Sequence, residues 1–351
     1  MLTEFSSGVD SPLIISSSNQ SEPGSATWQQ QLKAAVRSVP ELLQRLDLTG
    51  HPIAGRADFE PQFPLRVPLS YVRRMTPGDP NDPLLLQVLP LTSERQPSAG
   101  FVDDPLQEQA HNPVPGLVHK YQGRALLITT QACAVHCRYC FRQHFPYAEN
   151  RLTARQWQPA LDYVRERPDI HEIILSGGDP LSLDNKALAE LITALEQIPH
   201  LKTLRLHSRT PIVLPARIDA GLLDLLATTR LNTVLVLHAN HARELNEELH
   251  PALAALRTTG TVLLNQTVLL KGINDQVDTL VDLSHALFGQ GVLPYYLHVL
   301  DPVAGAAHFD TADEDARQLW QQVQAQLPGY LVPRLVREVP GDDHKRWINK
   351  A

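Results

Sequence analysis

The chain has three cysteines, all in the stretch Cys133-Ala-Val-His-Cys137-Arg-Tyr-Cys140. A CxxxCxxC spacing offers three thiolates from one loop. Three thiolates can hold three corners of a four-iron cluster and leave one iron open to a substrate or cofactor. The apolar run 125–129 reads as a buried strand, which puts the cysteines on the loop at its C-terminal end. A structural zinc site is the alternative, with His136 or His144 as fourth ligand, because such sites are closed and four-coordinate. An odd cysteine count in a chain of 351 residues argues against a disulfide framework.

Composition narrows the class. A hydrophobic content of 43% with 20% charged residues fits a soluble globular protein. The net charge of −7, with no basic run to offset it, argues against a nucleic-acid partner. No apolar stretch is long enough to span a bilayer, and the N-terminus lacks the pattern of a secretory signal, so the cytoplasm is expected.

The cysteine loop needs a scaffold, and the chain supplies an alternating one. Strand-like segments at 125–129, 172–175, 203–207, 233–238, 262–269 and 295–300 alternate with amphipathic helices at 153–166, 183–197, 220–228, 242–259, 277–288 and 311–326. Such alternation predicts an α/β fold with a parallel sheet and right-handed crossovers, here an incomplete (β/α)6 barrel over 111–327. Chemistry in these sheets sits at the C-terminal ends of the strands. Residues 1–25 read as a flexible lead-in. Residues 26–110 read as a helical N-terminal region, with short helices at 28–39, 40–46, 67–75 and 83–88 and a polar connection from 96 to 111. Residues 328–351 form a short C-terminal segment.

Other motifs fall at the expected strand ends. Ser176-Gly177-Gly178-Asp179 follows the second strand; two glycines let the backbone approach a ligand, and Asp179 can accept from an ammonium group, although a plain tight turn reads the same way. His207, His238, Asn265 and Gln266 are polar residues in apolar strands, where an unmade hydrogen bond costs about 1–3 kcal/mol, so each either satisfies the core or meets a ligand. Lys120 and Arg124 are spaced to bind one anion, and Tyr121 between them could stack on a flat ring; a solvated basic turn is the plainer reading. Lys345 follows a Pro-Gly turn, a setting in which a lysine has room to form a Schiff base, but spacing alone fits a solvated tail residue such as Lys350.

Taken together, these residues resemble a known family. The cysteine spacing is the signature of radical S-adenosylmethionine (SAM) enzymes. Gly116-Leu-Val-His-Lys-Tyr121, Phe141-Arg142 after the cysteines, Ser176-Gly-Gly-Asp179, Ser208-Arg-Thr-Pro-Ile-Val-Leu-Pro-Ala-Arg-Ile218, Asn265-Gln-Thr-Val-Leu-Leu270, and Pro294-Tyr-Tyr296 with Asp301, Gly305 and His308-Phe309 resemble the lysine 2,3-aminomutases, particularly the short bacterial EpmB type.

The resemblance implies a radical SAM partial (β/α)6 barrel that converts L-lysine to β-lysine. It implies a [4Fe-4S] cluster on Cys133, Cys137 and Cys140, SAM at Ser176, Gly177, Gly178, Asp179, His238 and Gln266, and pyridoxal 5′-phosphate (PLP) on Lys345. Lys120 and Arg124 would hold the PLP phosphate, with Tyr121 beside the ring. Arg142 matches a ligand of the substrate α-carboxylate and Asp301 an aspartate that holds the side-chain ammonium; Glu338 stands where the longer enzymes have a second such aspartate, so charge is kept but reach is changed. Implied partners are translation elongation factor P, its lysine ligase and a reducing protein. The longer enzymes carry zinc-binding cysteines in a C-terminal extension; none is present here, so a structural zinc and the oligomer it supports are not implied. The rival readings are a radical SAM enzyme that does not use PLP and a non-catalytic, metal-stabilised interaction module.

Overall fold

A computed structural model of the chain describes residues 26–145 and 157–348. The expected lead-in 1–25, the start of the helix expected at 153–166, and Lys350 lie outside the described residues.

The expected strands form because their apolar runs can be buried on both faces, as parallel sheets with helical crossovers require. In order they are β1 (Leu117–Tyr121), β2 (Arg124–Thr130), β3 (Glu172–Gly177), β4 (Thr203–Ser208), β5 (Asn232–Leu237), β6 (Val262–Val268), β7 (Leu293–His298), β8 (Arg334–Arg337) and β9 (Arg346–Trp347). Neighbours in the sheet follow chain order. Every pair from β2 to β8 is parallel, while β1 on β2 and β9 on β8 are antiparallel. Among the described residues the result is a partial barrel with one parallel strand more than expected. The extra strand, β8, is only four residues long and pairs with Tyr296–His298 of β7, too short to show an alternation of its own.

The helices outside the sheet start where the sequence supplies caps. The Asp184 carboxylate accepts from the Ala187 N–H at the start of α5 (Asn185–Glu196), and that of Asp219 accepts from the Leu222 N–H at the start of α7 (Ala220–Thr228). Their apolar faces join Leu175, Leu204 and Leu235 in the main core. One expected helix divides. Residues 242–259 form a 3-10 turn (Ala242–Glu244) and then a separate helix, His250–Thr258. The Glu244 carboxylate folds back to accept from the N–H groups of Asn240 (2.8 Å) and His241 (3.2 Å), and Pro251 suits the first turn of a new helix.

The N-terminal region is less helical than expected: Trp28–Lys33, Val39–Arg45 and Leu69–Val72 are short helices, and 83–88 is a run of turns. It is tied to the barrel. The Ser70 hydroxyl donates to the Val213 carbonyl (2.6 Å), and Arg74 donates to the carbonyls of Ile212 (2.6 Å) and Glu244 (2.8 Å). Ala134 and Val135, between the first two cysteines, are buried in the same core as Leu42, Leu84 and Val88.

Leu188 of α5 is fully buried in the main core. Leu188→Ala should therefore destabilise the protein by about 2–5 kcal/mol. A urea midpoint equal to that of the wild type would refute this account of the core.

Candidate active site

The cysteine loop is set by the residues around it. The His136 N–H donates to the Arg66 carbonyl (3.0 Å) and the Arg138 N–H to that of Gln87 (3.0 Å). On the other side, the N–H groups of Gly178 and Asp179 donate to the carbonyls of Thr130 (2.7 Å) and Ala132 (2.8 Å). The approach is close enough to require glycine: a Cβ on Gly178 would stand 2.5 Å from the Ala132 oxygen, and Gly177 has φ +115°.

All three cysteines are unpaired and partly exposed, and all line one cavity of about 330 Å³. Burial pushes each thiol up, Cys140 to about 11. Among the described residues, no three His, Cys, Asp or Glu side chains converge as a single metal ion would require. Thiolates on three separate irons of a cluster need no such convergence. The two histidines considered as zinc ligands make other contacts: His136 Nδ1 lies 2.7 Å from the Pro64 carbonyl, and His144 Nε2 lies 3.2 Å from that of Ala304.

The cavity runs from this loop down the barrel to the β1–β2 hairpin and brings together every site residue expected from the sequence. At its far end Glu338 is central. Its carboxylate accepts from Lys345 Nζ (2.5 Å), and Lys120 Nζ lies 3.5 Å from it. Lys120 also donates to the Leu106 carbonyl (2.7 Å). Burial works to raise the Glu338 carboxyl, but Lys345 and Lys120 override it and hold it at about 2. Lys345 is thus a paired, mostly buried cation rather than a solvated tail residue. Asp301 differs. Burial, reinforced by the Glu338 charge, pushes it up to about 7, and its Oδ1 is buried with no hydrogen-bond partner among the described residues. The Tyr121 ring is covered by the Arg124 guanidinium at 4.6 Å.

Near the cysteines, Arg142 is forked by Glu108, with contacts of 2.8 and 2.7 Å, and it donates to the Ser176 hydroxyl at 3.0 Å. Asp179 spends its carboxylate on the protein: it accepts from the Leu181 N–H (3.0 Å), the Ser208 hydroxyl (2.7 Å) and the N–H groups of Arg209 (2.8 Å) and Thr210 (2.9 Å). His238 and the Gln266 amide lie 3.0 Å apart, and burial lowers His238 to about 3, so its ring is neutral. Asn265, by contrast, spends its amide on Ala239 and Thr267 and serves the sheet.

Two features escaped the sequence reading. Glu108 sits in the stretch taken for a polar connection, with nothing to separate it from nearby acids. Arg209 is buried beside Cys137; its Nη2 donates to Tyr71, Gln87 and Glu244, while Nε and Nη1 have no partner among the described residues. The motif Ser208-Arg-Thr-Pro pointed to the place but not to the charge. Three thiols, polar atoms on Arg209, His207, His298 and Asp301 that have no partner among the described residues, and a lysine on one cavity wall suit a ligand with polar groups.

Comparison with known proteins finds relatives along most of the chain. The model of the radical SAM superfamily matches residues 127–283, the span from β2 to α9 (Val277–Gly289). L-lysine 2,3-aminomutase of Escherichia coli is 50% identical over 92% of this chain and 94% of its own length. The proteins of that name from Haemophilus influenzae and Clostridium subterminale are 45% and 34% identical, each over 91% of this chain and over 94% and 76% of their own lengths. Among solved structures, a radical SAM methyltransferase from Sphaerobacter thermophilus is 22% identical over 63% of this chain and 68% of its own, with a TM-score of 0.44. The fold is that of a radical SAM protein. Within that class, the chain belongs to the L-lysine 2,3-aminomutase family.

The charges make a prediction about pH. An acid that holds its proton more tightly in the folded state adds stability at low pH, which is lost as pH passes the folded value. With Asp301 at about 7, and Lys345 unmodified as here, the protein should lose stability between about pH 4 and 7, a loss absent from Asp301→Asn. Urea midpoints at pH 5 and 8 measure it; equal changes in the two proteins would refute the assignment.

Proposed function

We propose that the chain is an L-lysine 2,3-aminomutase that uses a [4Fe-4S] cluster, SAM and PLP and makes β-lysine for the modification of elongation factor P. The observation that carries this reading is the polarity of the cavity. A buried arginine, Arg142, lies near the cysteines, and two carboxylates, Asp301 and Glu338, line the same cavity beside Lys345. Lysine has a carboxylate at one end and an ammonium at the other, and its reacting carbons, Cα and Cβ, lie next to the carboxylate end.

Cys133, Cys137 and Cys140 would hold the cluster; Ser176, Gly177, Gly178, His238 and Gln266 would line the SAM site, with Asp179 shaping it. Lys345 would anchor PLP, with Lys120, Tyr121 and Arg124 around it. When bound, these cofactors would supply the radical chemistry that breaks an unactivated C–H bond and the carbonyl that holds the migrating nitrogen.

The chain's own residues do the rest. Arg142, with its Nε and one Nη2 N–H turned to Glu108, would meet the α-carboxylate along its Nη1–Nη2 edge, a planar contact that a point charge cannot reproduce. Asp301 holds a proton near neutral pH while the ammonium is absent; an arriving ammonium favours its carboxylate, and that proton is released. Glu338, spent on Lys345 in this structure, becomes available as a second ammonium acceptor once the lysine nitrogen is engaged elsewhere. The buried walls hold water away from the reacting carbons. The activity of the related lysine 2,3-aminomutases supports the substrate; a cytoplasmic site, an acceptor ligase and a reducing protein follow from the same reading. Among the described residues, no helix is long and apolar enough to cross a membrane.

Anaerobic incubation of the protein with L-lysine, SAM, PLP and a reductant should yield β-lysine, read by chromatography. Changing any one of Cys133, Cys137 and Cys140 to alanine should abolish 5′-deoxyadenosine formation. Lys345→Ala should lose the visible absorbance of bound PLP and keep its iron, whereas Lys350→Ala should keep both. β-Lysine formation by Lys345→Ala would remove that residue from the reading.

A further inference from the structure

Residues 102–108 touch three parts of the cavity at once. The Val102 N–H donates to the Pro302 carbonyl (2.9 Å) and the Val102 carbonyl accepts from the Ala304 N–H (3.0 Å), which joins this segment to the loop that carries Asp301. The Leu106 carbonyl accepts from Lys120, and Glu108 forks Arg142. Between those two contacts the chain makes a strained turn: Gln107 has φ +48°, a left-handed conformation that a side chain with a Cβ rarely adopts. The Asp104 carboxylate, accepting from the Glu108 N–H at 3.2 Å, helps to hold the turn.

Glu108 and Arg142 are both nearly fully buried, 5% and 6% exposed. A lone buried guanidinium would turn toward whichever acceptor lay nearest. Two parallel bonds from a single carboxylate fix both its position and its plane.

We infer that Glu108 is a positioning residue: it presets the plane of Arg142 for the substrate carboxylate, so that recognition of that carboxylate depends on a residue beyond the substrate's own contacts. The inference rests on the proposed lysine site. The fork gives the arginine an orientation before substrate arrives, which lowers the ordering cost of binding. Because Glu108 shares its segment with Val102 and Leu106, the arginine is set relative to the Asp301 loop and Lys120, the opposite pole of the cavity.

The test is Glu108→Gln, which keeps the shape and one acceptor but loses the charge. In the reconstituted enzyme, KM for lysine should rise about tenfold with a smaller change in kcat, and the preference for lysine over lysinamide, which lacks the carboxylate, should fall by a similar factor. Iron content, PLP absorbance and melting temperature serve as controls for folding. A second measurement needs no turnover: labelling of Arg142 by phenylglyoxal, read by peptide mass spectrometry, should be slow in the wild type and several-fold faster in Glu108→Gln. Equal labelling in the two proteins, or an unchanged lysine-to-lysinamide preference, overturns the positioning role. Absence of lysine turnover in the wild type, with faster labelling in the variant, overturns the proposed substrate and leaves the preset arginine standing.

Discussion

The carboxylate of Asp179 is the knot that ties the top of the sheet. Four donors from the ends of two successive strands converge on it, and its own N–H reaches back to the cysteine loop. Three connections that would otherwise move independently are thereby joined at one buried point. Such a carboxylate is costly to bury and stays buried only because its acceptor sites are filled. The close approach of Gly178 to the loop, the placement of Arg209 beside Cys137 and the partnerless edge of that arginine all depend on this joint.

The cavity is organised by charge as much as by shape. Buried cations and anions are paired at both poles, Arg142 with Glu108 and Lys345 with Glu338. Removing one partner from such a pair leaves an unmatched charge in a poorly solvated place. Asp301 is the exception: among the described residues it makes no ion pair, and burial with the Glu338 charge outweighs Lys345 and Arg337, so it holds its proton. One pole therefore presents an arginine whose plane is set by Glu108, and the other a carboxyl whose charge depends on what arrives.

Local sequence carried the scaffold because local physics builds it. Alternating apolar runs place β2 to β7 to within a few residues, and the cysteine spacing placed the loop. The interactions that give the site its chemistry are long-range and leave no periodic trace. Glu108 meets Arg142 across 34 positions of sequence, in a stretch whose composition says only that it is polar. Residues 242–259 looked like one amphipathic helix because the pattern cannot show that Glu244 turns back to serve Asn240 and Arg209. Lys345 looked like a solvated tail residue for the same reason: its partner, Glu338, reaches it only through the β8–β9 hairpin.

The two antiparallel hairpins have a further effect. An open parallel sheet has two edges whose free N–H and C=O groups can recruit a strand from another molecule. Here the β2 edge is covered by β1, five residues long with an irregular register between Val118 and Tyr121, and the β8 edge by the two residues of β9. Short or bent outer strands make poor templates. The barrel can stay open on one side without inviting edge-to-edge polymerisation, and its hairpins act as guards against aggregation.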